Sequence, residues 1–92
     1  MKTFKDLQIG DKVYLGFFSH FVQRVEYING YLRLTLHYDK DRPKCTFIGW
    51  DYYIPMNHIN ANNIKTRHGQ LFISKKQYIK HMNKLIDDQI KR

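Results

Sequence analysis

No stretch of this 92-residue chain is apolar over the roughly 20 positions that cross a bilayer, and the opening MKTFKDLQIGD carries charge where a secretory leader has its apolar core. The expectation is a cytoplasmic protein without membrane contact. Cysteine is nearly missing. The single Cys45 excludes an internal disulfide and a cysteine-based zinc site, suits a reducing compartment, and reads as a small buried residue rather than a nucleophile. Repeats, low-complexity tracts and linkers are also missing. With thirteen Tyr and Phe and one Trp spread from end to end, residues 1–92 form one domain with one core.

The residue sets that carry chemistry are equally scarce. The five histidines, at positions 20, 37, 58, 68 and 81, are not spaced as metal ligands, and no glycine-rich phosphate loop is present. His37, Asp39 and Asp41 lie close in sequence, but Lys40, Arg42 and Lys44 interleave with them and oppose a cation. Asp87 and Asp88 look like a carboxylate pair, yet adjacent helical residues point about 100° apart; pairing with Lys91 and Arg92 four residues on is the better reading. We therefore expect no catalytic residue, no metal, no cofactor and no enzyme.

Acid is scarce as well: eight Asp and Glu stand against sixteen Lys and Arg, a formal charge of +8. Residues 67–92 hold seven of the basic side chains and only two of the acidic ones. Such asymmetry suits an anionic partner, either nucleic acid or an acidic protein surface. Codon composition is the competing reading, because eleven of the sixteen are Lys and Asn, Ile and Tyr are abundant beside them.

What is present reads as strands first and one helix last. Phe4 to Leu7 leads into the turn Ile9-Gly10-Asp11-Lys12, which launches a strand from Val13 to about Phe18. Asn29-Gly30 between two apolar runs is the preferred two-residue type I′ hairpin turn. It sets Tyr27 opposite Leu32, Glu26 opposite Arg33 and Val25 opposite Leu34. Leu32, Leu34 and Leu36 then face the core with Val25 and Tyr27, and Glu26 meets Arg33 on the other face. Gln23 breaks the alternation, so a bulge near Gln23 and Arg24 is expected to return Val22 inward. A charged loop over 39–44 precedes a strand from Cys45 to Ile54, with Ile48, Trp50, Tyr52 and Ile54 on one face and Phe47 and Tyr53 on the other. Met56 to Asn63 reads as loop and Gln70 to Ile73 as a last strand.

From Lys75 the period changes to 3.6, with Tyr78, Ile79, Met82, Leu85, Ile86 and Ile90 in one arc, predicting an amphipathic helix over about 75–91 packed on the sheet and capped by Ser74, with Gln77 as its capping-box partner. The fold class is α+β: a small, strongly bent antiparallel sheet or SH3-like barrel of about five strands within 12–74, closed by one C-terminal amphipathic helix.

The stretch FKDLQIGDKVYLG resembles the opening of SH3-like small barrels, in which an I/V-G-D-x-V segment turns into the first strand, as also in KOW-type modules. GQLFISKKQYIKHMNKLI is similar to the ending of many short, mostly uncharacterised phage and prophage proteins, where an L-F-x-S-K passage precedes a terminal helix. The resemblance covers about a third of the chain, at its two ends. It implies a compact phage or mobile-element accessory protein and assigns no activity.

Two functions of different class follow. In the first, the chain is a non-enzymatic nucleic-acid-binding module. Arg67, His68, Lys75, Lys76, Lys80 and Lys84 bind anions around a helix start and a basic helix face, while Trp50, Tyr52, Tyr53 and Tyr31 stack on bases. In the second it is a protein-binding inhibitor of a host or defence protein, with the aromatic sheet face as contact. The bland reading of the same aromatics is packing at the rim of the core. Self-association as a homodimer is a third expectation.

Overall fold

The computed structural model describes residues 2–38 and 49–90, with side chains through Asp88. The loop over 39–44, residues 45–48 of the predicted strand, Cys45, the Asp39 and Asp41 carboxylates, and the partners Lys91 and Arg92 lie outside the described residues, as does the side chain of Ile90. Among the described residues there are six strands, one α-helix and two short 3-10 turns, Phe4–Asp6 and Met56–His58. The strands and the α-helix are β1 (Lys12–Leu15), β2 (Phe18–Ile28), β3 (Tyr31–His37), β4 (Trp50–Pro55), β5 (Asn63–Thr66), β6 (Gly69–Phe72) and α1 (Lys75–Ile90). The strands form one antiparallel sheet in the order β4-β3-β2-β1-β6-β5.

The strand count exceeds the expected five by one, β5, and one strand boundary moves. The run expected to continue from Val13 to Phe18 turns sharply at Gly16-Phe17, pairing Leu15 with Phe18. Gly16 takes φ +61°, which a first central turn position of type II′ needs and only glycine adopts freely. Asn63 to Thr66, partly assigned to loop, pairs with Gly69 to Phe72 across the two-residue turn Arg67-His68. The predicted hairpin is present in full: Asn29 and Gly30 have φ +48° and +81°, and the pairs Tyr27–Leu32, Glu26–Arg33 and Val25–Leu34 form as expected. The register shifts between Val22 and Arg24, and Val22 is buried, so the bulge lies where the alternation failed.

The core lies on the inner face of the sheet. Val13, Leu15, Val22, Leu32, Leu34, Leu36, Tyr52, Ile54 and Leu71 are buried there, joined by Phe4 and Leu7 from the opening segment. The Ile9-Gly10-Asp11 turn holds that segment in place. Asp11 accepts from the Gln8 amide at 2.8 Å and from Lys2 at 2.7 Å, while the backbones of Gly10, Asp11 and Val22 exchange hydrogen bonds. Tyr27 has the inward parity but is exposed, although Leu32 opposite it is buried.

The sheet is open, since β4 and β5 are not hydrogen-bonded neighbours. It is nonetheless bent enough that these two edges approach one another. Tyr52, Ile54, Ile64 and Thr66 line a gap of about 190 Å³ between them, and the β5–β6 turn reaches across to β4.

The helix begins as expected, with the Ser74 hydroxyl accepting from the Gln77 amide at 3.4 Å. It packs on the outer face of β1 and β6, where Tyr78 stacks on Tyr14 and its hydroxyl donates to the Gly16 carbonyl at 2.8 Å. The expected full packing of its apolar arc is not observed. Tyr78 and Met82 are half-buried, while Ile79, Leu85 and Ile86 are exposed. Length accounts for Leu85 and Ile86, since sixteen helical residues extend about 24 Å and the four-residue strands beneath about 13 Å, whereas Ile79 lies beside Tyr78 and Met82 at the edge of the packed face. Among the described residues no helix is long and apolar enough to cross a membrane.

Candidate aromatic cleft

Two adjacent hairpin turns, Gly16-Phe17 and Arg67-His68, meet the ends of β3 and β4 at one end of the core. Between them lies a cleft of about 330 Å³. One wall is Phe17 and Phe18, both exposed, with Phe17 accessible over 81% of its surface at the tip of its turn. With Phe18, Tyr38 and Trp50 it makes a contiguous exposed apolar patch, the kind that marks a contact site. The opposite wall is Tyr38 and Trp50, whose rings meet edge to face at 5.2 Å and 73°. Tyr38 also meets Phe18 edge to face at 6.0 Å and lies over the His20 ring at 4.7 Å.

The floor is polar. Tyr52 is 4% exposed, and its hydroxyl lies 2.7 Å from Nδ1 of His68. Burial pushes the Tyr52 hydroxyl above its ordinary range, so it keeps its proton and donates to Nδ1 in the tautomer that carries the His68 proton on Nε2. His20 is 6% exposed, and its Nδ1 has no hydrogen-bond partner among the described residues. Burial lowers its pKa below the usual histidine value, and the neighbouring His37 adds to this. Among the described residues, the lining includes no acid.

Of the predicted contact residues, the structure brings Trp50, Tyr52, Arg67 and His68 together. Arg67 sits with its guanidinium 4.7 Å from the Tyr52 ring centre and donates to the Asp51 carbonyl at 3.0 Å, so it flanks the floor. Tyr52 departs from the expectation of a stacking surface, because its ring belongs to the core and only its hydroxyl serves the cleft. Tyr31 and Tyr53 are exposed and meet edge to face at 6.2 Å, but on the outer face of the sheet, away from Trp50. Beside them the outer face carries a polar ladder in which Asp51 accepts from Thr35 at 2.6 Å and from Arg33 at 2.9 Å, with Glu26 3.6 Å from Arg33. Lys76, Lys80 and Lys84 line a separate, broad groove of about 770 Å³ with Asn63, Phe72 and Ile79. Lys75 is exposed in the first helical turn.

Sequence reasoning missed Phe17, Phe18 and His20 as cleft residues, whereas Tyr38 is among the aromatics that cannot all be core. The signal that could have found them is Gly16 between two short apolar runs, which marks a hairpin turn as Asn29-Gly30 does. Comparison of the chain with protein-family models, with curated proteins and with solved structures finds no match in any of the three.

Proposed function

We propose that this protein is a non-enzymatic module that binds single-stranded nucleic acid, with an unstacked base in the aromatic cleft and phosphates on the basic side chains around it. The observation that carries the reading is the cleft itself: exposed Phe17, Phe18, Tyr38 and Trp50 around a polar floor with no acid among the described residues, in a chain of charge +8. Aromatic faces hold any base, at about 1–3 kcal/mol each. Edge-to-face rings also suit an ammonium ion, but the Arg67 guanidinium beside the cleft disfavours a cation. Arg67 and His68 sit at the cleft, while Lys76, Lys80 and Lys84 line a separate groove along α1 and offer a second positive surface.

The wider assignment follows the same reading. The I-G-D-K-V-Y opening and the L-F-x-S-K ending support an accessory protein of a phage or mobile element, related to SH3-like small barrels and acting in a reducing cytoplasm. A second reading, a protein-binding inhibitor, is favoured by a different surface. Ile28, Tyr31, Tyr53 and Met56 are exposed near the β2–β3 hairpin tip, an apolar patch that suits a protein contact.

Retardation of labelled single-stranded DNA, RNA and duplex at about 50 and 200 mM salt separates the two. With three phosphates neutralised, single-strand affinity should fall by about one decade over that range. An apolar interface should respond far less, and no retardation of any single strand at low salt would refute the nucleic-acid reading.

A further inference from the structure

The helix carries two anomalies that the cleft does not use. Ile79 and Ile86, 44% and 51% exposed, lie seven residues apart on one face with half-buried Met82 between them. Its charges also run against its own macrodipole: Lys75 and Lys76 occupy the first turn, and Asp87 and Asp88 lie in the last. Neither Lys76 nor Asp87 makes an ion pair among the described residues.

We infer that α1 is a self-complementary dimer surface, pairing antiparallel with the same helix of a second copy. Two observations select that occupant. The exposed isoleucines are spaced one heptad apart, the spacing at which one helix meets another along a seam. Lys76 and Asp87 are eleven residues apart, about three turns, so both lie on the same flank of that seam. In an antiparallel pair, same-flank positions face one another. A two-fold axis close to Met82 sets Ile79 beside Ile86 of the partner subunit and Lys76 beside Asp87 of the partner subunit, and symmetry repeats both contacts. The arrangement also sets the positive end of each helix dipole against the negative end of the other, so charges unfavourable within one helix become favourable between two. The seam is short, so the dimer is weak, with Kd on the order of 100 μM.

Sedimentation equilibrium of the full chain, without nucleic acid, from about 10 μM to 1 mM tests this. The wild-type mass should rise from monomer to dimer over that range, and Ile86→Glu should hold it at monomer. Asp87→Lys and Lys76→Asp each replace two attractions by two repulsions and should each weaken the dimer by about tenfold. Each also improves the helix's match to its own macrodipole, so circular dichroism should show the helix retained. The double variant K76D/D87K should return to within about threefold of wild type. A monomer throughout, a dimer indifferent to Ile86→Glu, or a double variant no better than the singles would each overturn the proposal.

Discussion

The hydroxyl of Tyr52 and Nδ1 of His68 lie 2.7 Å apart and join β4 to the β5–β6 turn, two ends of one sheet whose edge strands do not pair. The contact does for this open sheet part of what ladder hydrogen bonds do in a closed one. It also forms the floor of the cleft. Tyr52→Phe keeps the buried ring and removes the donor, and should lower unfolding free energy in urea by about 1 kcal/mol. His68→Ala should cost a similar amount, and the double variant should cost less than the sum of the two, because both remove one bond.

Acid should unfold the protein partly through Asp51. Burial raises its pKa, but hydrogen bonds from Thr35 and Arg33 outweigh this and hold the carboxyl below its ordinary value. A carboxylate with a depressed folded pKa contributes stability that is present above the unfolded value near 4 and is lost as pH falls through the folded one. Asp51→Asn should be less stable than wild type at pH 7, and the difference should shrink in urea titrations below about pH 4.

His20 acts in a higher pH range and through the opposite protonation state. Its folded pKa is lowered by burial, partly offset by a hydrogen bond to the Phe18 backbone, with a lesser lowering from His37. Above the unfolded value of about 6.5 both states are neutral and burial carries no proton-linked penalty. As pH falls below that value the unfolded chain takes up the proton first, so stability declines until the folded pKa is passed. The melting temperature should drop between pH 7.5 and 5.5, and drop less in His20→Met.

Phe17 separates function from folding. It stands at a turn tip with 81% of its surface in water, so Phe17→Ser should leave unfolding free energy within about 0.5 kcal/mol of wild type. If the cleft binds a base, the same change should weaken single-strand binding by about 1 kcal/mol or more, fivefold at least, measured by fluorescence anisotropy of a labelled oligonucleotide.

Much of the fold was legible because local chemistry and burial agree in it. Asn29-Gly30 determines the register of β2 and β3, alternation identifies their inner residues, and a single mismatch at Gln23 locates the bulge. The helix was legible from its period and from Ser74. The turns at Gly16-Phe17 and Arg67-His68 were not, because only one of their four residues is a strong turn former and apolar or charged side chains occupy the rest. The cleft was half legible: Trp50, Arg67 and His68 were singled out, but the residues opposite them arrive from a turn that reads as continuous strand. Tyr31 and Tyr53 went with Trp50 in composition and against it in space, since pairing sends alternate residues to opposite faces. The exposure of Ile79 and Ile86 was hidden because periodicity shows that a helix has an apolar face, not how much of that face a short sheet can cover.

Trp50 is the only tryptophan in the chain and stands in the cleft wall, so its fluorescence reports on the proposed site directly. Titration of the full-length protein with a short single-stranded oligonucleotide at about 50 mM salt should quench Trp50 saturably, with an affinity that falls about tenfold at 200 mM salt and a response reduced in Phe17→Ser. Unchanged Trp50 emission at low salt, at oligonucleotide concentrations up to about 1 mM, where even binding as weak as the non-specific range would register, would contradict the account.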